Sequence, residues 1–152
     1  MKQFNLQLAS RIYQILEDAV PGAGEVTSVS SITTFFKYLQ LNAHMQIKEQ
    51  IMAIALLQQF IHNQAKKSIH VLNKQNIGTM FVVLIIITMK TCRDVTPPNS
   101  FFANEFDIQL EVLNKSERTF LKVINHEVWI DENHYSQLFE DIMKNVIVKT
   151  DL

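Results

Sequence analysis

The feature that most constrains this sequence is the stretch MFVVLIIITM, residues 80–89, in which Thr88 interrupts an otherwise apolar run that stops at Lys90. A membrane span, a buried strand and the central helix of a helical protein are the three structures that it suggests. A span needs about 20 predominantly apolar residues, which is twice the length of this stretch. The stretch is too short to cross a bilayer, so we expect no membrane span.

The choice between strand and helix depends on the rest of the chain. The β-branched side chains between Val82 and Ile87 favour a strand by propensity. No other segment alternates with a period of two, however, so a strand here would have no sheet to join. A helix that is apolar on every side is typical of the centre of a helical domain, where each face meets another helix. We therefore predict a central buried helix from Asn76 to about Cys92.

Apolar residues elsewhere in the chain recur every three or four positions, which predicts amphipathic helices and an all-α fold. A first helix buries Phe4, Leu8, Ile12, Ile15 and Ala19 and ends at the breakers in residues 21–24. Two further helices cover residues 31–42 and 47–62, the first of them capped by Ser30 or Ser31. Thr96, Pro97, Pro98 and Asn99 stop the central helix. After the short segment FFANEF come a helix over residues 110–124 and a last helix capped by Asp131 or Asn133.

The charge balance argues for a protein partner. Fourteen basic and fifteen acidic side chains leave a formal charge of −1, so there is no overall field to hold nucleic acid. Lys66, Lys67 and Lys74 make one loop locally basic, and we expect them to solvate that connection. A lone cysteine, Cys92, forms no intramolecular disulfide, which suits a reducing intracellular compartment such as the nucleus or cytoplasm. We expect Cys92 to be a small buried apolar residue.

No motif in the sequence indicates an enzyme, a cofactor or a metal site. The histidines lie too far apart for zinc-ligand spacing; they are His44, His62, His70, His126 and His134. A glycine-rich phosphate loop, a G-x-S-x-G elbow and an H-E-x-x-H motif are all missing from the sequence. The acidic pairs at residues 17–18 and 131–132 are sequence neighbours and so do not share a helix face. We therefore expect a non-catalytic protein that binds no cofactor.

Three stretches between residues 76 and 130 carry a family resemblance: NIGTMFVVLIIITMK, TCRDVTPPNSFFANEFDI and LNKSERTFLKVINHEVWI. They resemble the cyclin box of single-box cyclins of the phosphate-pathway and plant P/U types. Those proteins have an asparagine, a mostly apolar helix that ends in lysine, a linker, and a helix resembling L-x-x-x-E-x-x-F-L. The spacing from Asn76 to Lys90, and on to Leu113 and Glu117, fits without a gap. The resemblance covers roughly residues 31–143.

The resemblance implies a particular fold and domain organisation. A cyclin box is a five-helix bundle around a central apolar helix, here with an extra N-terminal helix and a C-terminal helix. Residues 1–24 would form the N-terminal helix and breaker loop, residues 25–143 the cyclin-box domain, and residues 144–152 a C-terminal tail.

The resemblance also implies a site. In cyclins, the lysine that ends the third box helix and a glutamate of the fifth contact a cyclin-dependent kinase, and the matching residues are Lys90 and Glu117. An ammonium donor beside a carboxylate acceptor can hold the carbonyl and amide groups of one partner loop. The alternative to kinase binding is a structural role. Lys90 would then stabilise the negative end of its helix dipole, and Glu117 would be a solvated surface carboxylate.

Three functions remain open after the resemblance is considered. The first is a regulatory subunit that binds and activates a cyclin-dependent kinase by docking beside its αC helix, with Lys90 and Glu117 exposed and close together. The second is a non-catalytic adaptor of a larger protein assembly, whose exposed apolar faces contact other subunits. The third, a cyclin fold that binds nucleic acid, requires a basic face, and the near-neutral charge argues against it.

Overall fold

The computed structural model describes residues 2–150, with side chains from residue 3 to residue 146, and every regular element in that range is a helix. The helices are α1 (Lys2–Ala19), α2 (Ala23–Val26), α3 (Val29–Asn42), α4 (Ile47–Lys66), α5 (Ile77–Cys92), α6 (Asn99–Glu105), α7 (Leu110–Val123) and α8 (Glu132–Thr150). The predicted all-α fold class is confirmed.

The chain divides into two compact units. One contains the residues up to Ala55 together with those from Ile130 onward, and the other contains residues 56–129. The division falls within α4, so this helix contributes residues to both units. The three segments predicted from the sequence, residues 1–24, 25–143 and 144–152, stay a prediction.

The first unit is organised around α1, which packs against α2, α3 and α8. The buried stripe of this helix consists of Phe4, Leu8, Ile12 and Leu16, and Val20 continues it. Ile15 and Ala19 were predicted to lie on this face, but both are half-buried. Because a turn contains 3.6 residues, a spacing of four turns the buried stripe by about 40° at each step, so near the end of α1 it has moved away from the face that carries Ile15 and Ala19.

Side-chain amides also join α1 to α3 in the first unit. Asn5 and Gln40 exchange two hydrogen bonds, with Nδ2 to Oε1 at 3.1 Å and Nε2 to Oδ1 at 3.2 Å. Gln50 on α4 donates a third, at 3.4 Å, to the same Asn5 oxygen. Asn5 and Gln50 are both buried. Buried amides need such partners because a polar group left without one costs free energy.

Short polar side chains set the starts of α3 and α8. Ser28 is the N-cap of α3, in an extended conformation with φ −152° and ψ 164°, and it exchanges hydrogen bonds with Ser31 in a capping box. The prediction of Ser30 or Ser31 as the N-cap is wrong, because both residues already lie inside the helix. At α8, the Asp131 carboxylate accepts from the backbone N–H of Asn133 at 2.9 Å, so of the two predicted caps, Asp131 and Asn133, it is Asp131 that caps the helix.

The second unit contains α5, whose residues from Val82 to Met89 are all buried. Thr88, the polar residue among them, donates its hydroxyl to the Leu84 carbonyl at 2.8 Å, so it needs no partner outside the helix. The prediction of a central apolar helix is thereby confirmed. Cys92, the last residue of α5, is half-buried rather than buried.

Helix α7 packs against both α5 and α6 in the second unit. The rings of Phe120 on α7 and Phe60 on α4 stack with their centroids 4.5 Å apart. Both rings are fully buried, so they contribute a large apolar area as well as a favourable ring geometry.

Polar side chains from α4 bind the carboxyl end of α7. Asn63 donates to the carbonyl of Val123, the last residue of α7, at 3.2 Å, and Gln59 donates to the Glu127 carbonyl, which lies beyond the helix, at 2.6 Å. The last carbonyls of a helix have no partner within the helix, so donors from another element satisfy them. The chain leaves α7 through Asn125 and His126, both with positive φ.

Lys67, just past the end of α4, makes the most bonds to this helix end. Its Nζ donates to the carbonyls of Lys122 and Val123, both at 3.0 Å, and to the Asn125 Oδ1 at 2.7 Å. The positive charge of Lys67 also interacts favourably with the negative end of the α7 dipole. The expectation that Lys67 merely solvates a loop is therefore wrong, since its side chain caps α7.

Truncating Ile85, which is fully buried in α5, tests the contribution of this helix to stability. We expect Ile85→Ala to lower the free energy of unfolding by about 2–5 kcal/mol, because it removes buried apolar atoms and leaves a cavity. The measurement is urea denaturation followed by circular dichroism. Val95→Ala is the control, because Val95 is 85% exposed, and it should change the value by less than about 0.5 kcal/mol. Equal losses in the two variants would contradict the prediction.

The cap on α7 gives a second stability test. We expect Lys67→Met to lower the free energy of unfolding by about 0.5–1.5 kcal/mol, because the α7 carbonyls lose a charged donor. Lys66→Met is the matched control, since Lys66 is the exposed preceding residue. The same urea titration measures both variants, and a loss in Lys66→Met as large as in Lys67→Met would refute the capping role.

Candidate functional site

The structure brings together the two side chains that the sequence singled out. Lys90 lies in the last turn of α5, and Glu117 lies in the middle of α7. The Lys90 Nζ is 2.9 Å from the Glu117 Oε2 and 3.2 Å from its Oε1. Because α5 packs against α7, residues far apart in the sequence form one ion pair.

Exposure differs between the two partners. The Lys90 side chain is 43% exposed and the Glu117 side chain 13% exposed. The expectation that both are exposed and close together therefore holds for their proximity and for Lys90, whereas Glu117 is mostly covered. A lysine ammonium has three N–H donors, and the two bonds to Glu117 leave one available to solvent or to a partner.

The ion pair adds little to the stability of the fold. A pair with one strongly exposed partner is screened by water and salt, and such pairs contribute about 0–1 kcal/mol. What the pair provides is a defined arrangement of a donor and an acceptor at the surface.

Two asparagines that were not selected from the sequence complete the site. The Asn99 Nδ2 donates to the Glu117 Oε1 at 2.7 Å and to the Asn114 Oδ1 at 2.9 Å. Asn114 and Glu117 are three residues apart on α7 and so share a face. The only sequence signal for Asn99 was its place directly after Pro97 and Pro98.

Leu110 extends this face of α7 with an apolar side chain. It lies four residues before Asn114, which places both on one side of the helix. Leu110 is 42% exposed and also lines a groove with Ala103 and Ile108. The surface therefore combines an ion pair, amide groups and an accessible apolar side chain.

Neither a metal site nor a membrane span is found in the part of the chain that the structure describes. Within it, no three side chains of histidine, cysteine, aspartate and glutamate lie close enough to ligate one ion. None of the described helices is both long and apolar enough to cross a membrane.

Comparison with known families identifies the chain. The cyclin family model matches residues 23–128. This match covers more than half of the chain and includes both Lys90 and Glu117, so the chain belongs to the cyclin family. None of the curated proteins and none of the solved structures compared with the chain matches it.

Membership of this family confirms the resemblance seen in the sequence and defines a cyclin-box protein. The eight helices of residues 2–150 are consistent with that helical fold. Cyclins are regulatory, non-catalytic proteins, which supports a cyclin-like regulatory role and protein partners for this chain. The assignment of Lys90 and Glu117 to kinase binding stays a prediction.

A double-mutant cycle measures the ion pair itself. We expect Lys90→Met, Glu117→Gln and the double variant to give a coupling of about 0.2–1 kcal/mol in the free energy of unfolding at low salt. The coupling should fall at 1 M NaCl, because ions screen exposed charges. Urea denaturation at the two salt concentrations provides the values, and a coupling that is zero at low salt or unchanged by 1 M NaCl would contradict the prediction.

Proposed function

We propose that this cyclin is the regulatory subunit of a cyclin-dependent protein kinase, and that the Lys90–Glu117 pair binds the kinase. The observation that carries the proposal is the ion pair of 2.9 Å inside the region that matches the cyclin family. The charge of the chain, −1, favours a protein partner over nucleic acid. The site of action would be a reducing compartment, the nucleus or cytoplasm, which suits a chain with one cysteine.

The Lys90–Glu117 pair can form hydrogen bonds with the backbone of a partner loop. The remaining N–H of Lys90 can donate to a carbonyl oxygen, and Glu117 can accept from an amide N–H. Charge-assisted hydrogen bonds are stronger than neutral ones and depend on geometry, so they fix register as well as affinity. Leu110, on the same face of α7, adds an apolar contact to this surface.

Activation would follow from docking, without chemistry supplied by the cyclin. In protein kinases, a lysine of strand β3 must pair with a glutamate of the αC helix before phosphoryl transfer. A subunit that binds beside αC shifts the kinase towards that arrangement only if it binds the active conformation more tightly. The rigid core around α5 suits this task, because a surface that holds its shape discriminates between the two positions of αC.

Removal of either charge tests the proposal. The tagged full-length chain is purified from its native cell, the co-purifying proteins are identified by mass spectrometry, and the eluate is assayed for kinase activity. We expect Lys90→Ala and Glu117→Ala each to weaken kinase binding by about 30-fold or more, since truncation leaves the other charge without its partner.

Matched controls separate the site from general effects of charge. Lys115→Ala and Glu111→Ala remove one charge of each sign from exposed positions on α7, and both should retain the kinase. If the kinase co-purifies equally with all four variants, the pair is not its binding site.

A second candidate function, a cyclin-fold adaptor in a larger assembly, is favoured by exposed apolar side chains. Trp129 and Val95 are each 85% exposed. Tryptophan is enriched among the residues that dominate binding energy at protein interfaces. Recovery of a multi-subunit assembly without a kinase, lost in Trp129→Ala but retained in Lys90→Ala, would favour the adaptor over the regulatory subunit.

A further inference from the structure

A double proline places an asparagine against the carboxylate of Glu117. Pro98 is the N-cap of α6, with φ −69° and ψ 160°, so Asn99 is the first residue of that helix. The rings of Pro97 and Pro98 fix their φ angles and leave this connection few conformations. Since α6 packs against α7, the start of α6 is pre-set beside the ion pair.

The side chain of Asn99 on α6 forms hydrogen bonds with residues of α7. Asparagine near the start of a helix commonly bonds to the neighbouring backbone. Here both N–H groups of its amide meet acceptors on α7, the Glu117 Oε1 at 2.7 Å and the Asn114 Oδ1 at 2.9 Å. An amide nitrogen carries two donors, so each acceptor receives its own bond.

The two acceptors also fix the orientation of the amide. If the group were turned over, the Asn99 Oδ1 would face the Glu117 carboxylate, which has no donor, and be repelled by it. In the observed orientation this Oδ1 is buried and meets no donor among the described residues. The bond to the Glu117 carboxylate is the interaction that orients the amide, and the same orientation directs its second N–H to the Asn114 Oδ1.

We infer that Asn99 is a positioning residue of the Lys90–Glu117 pair. It occupies the Glu117 Oε1, at 2.7 Å, while Lys90 approaches the Oε2 most closely, at 2.9 Å. The carboxylate is thus held from two sides, and its plane is fixed relative to the ammonium group. The effect of this arrangement on kinase binding rests on the proposed function, whereas its effect on the Glu117 carboxylate belongs to the chain alone.

An isosteric substitution separates the donor from the packing. Asn99→Asp keeps the shape of the side chain, removes the N–H donors and sets a second carboxylate against Glu117. Asn104→Asp is the matched control, because it makes the same change at an exposed position of the same helix. Asn99→Leu is a further variant that removes the donors without adding charge.

Two measurements are made on each variant. The first is the ¹³C resonance of the Glu117 carboxylate in the free chain at neutral pH, with circular dichroism to establish that the variant is folded. The second is the affinity for the cyclin-dependent kinase that co-purifies with the unaltered chain. We expect the resonance to move in both Asn99 variants and stay in place in Asn104→Asp. Kinase affinity should fall at least about tenfold in Asn99→Asp and change by less than about twofold in Asn104→Asp.

The outcomes distinguish this inference from the proposed function. A Glu117 resonance that is unchanged in both Asn99 variants overturns the positioning role, whatever the kinase does. A resonance that moves, with weaker kinase binding, supports the inference and its consequence for the interface. A resonance that moves in a chain that recruits no kinase supports the positioning role and refutes the proposed function.

Discussion

Burial of α5 on every face is the constraint on which the rest of this structure depends. All residues from Val82 to Met89 are buried, and the helix emerges into solvent at Lys90. A helix buried on every face has a fixed position, since any rotation or slide would disrupt the close packing of its side chains against their neighbours and leave cavities. The Lys90 ammonium at the end of α5 is therefore held in a defined position as well. The stability of the core and the precision of the candidate site therefore come from the same helix.

Helix α7 carries the other half of the site and is fixed by a different kind of interaction. Its amphipathic sequence buries Leu113, Phe120 and Val123, while Gln59, Asn63 and Lys67 donate to backbone carbonyls at and beyond its carboxyl end. Apolar contacts of this kind are non-directional, whereas hydrogen bonds to carbonyl groups specify register. Together they hold Glu117 at the level of Lys90.

The sequence predicted the features that depend on periodicity and, through the family resemblance, the proximity of Lys90 and Glu117, but it missed the other tertiary contacts described above. The central helix and the all-α class follow from apolar spacing, whereas the cyclin family was suggested by the resemblance of the stretches that contain Lys90 and Glu117. The roles of Lys67 and Asn99 did not follow, because each bonds to a helix distant in sequence, at positions 122–125 and 114–117. Local patterns do not encode such contacts. The N-cap at Ser28 was missed for a simpler reason: several serines lie close together, and only the backbone conformation distinguishes them.

The exposure of Trp129 has a consequence for how this protein is observed in solution. Trp129 is the sole tryptophan in the chain and is 85% exposed. Its indole is already surrounded by water in the folded state, so its fluorescence is a poor reporter of unfolding. The same property makes it a sensitive reporter of association at that surface, since a partner that covers the ring would shift its emission to shorter wavelength. Trp129 fluorescence is therefore an intrinsic probe of binding that responds little to unfolding of the core.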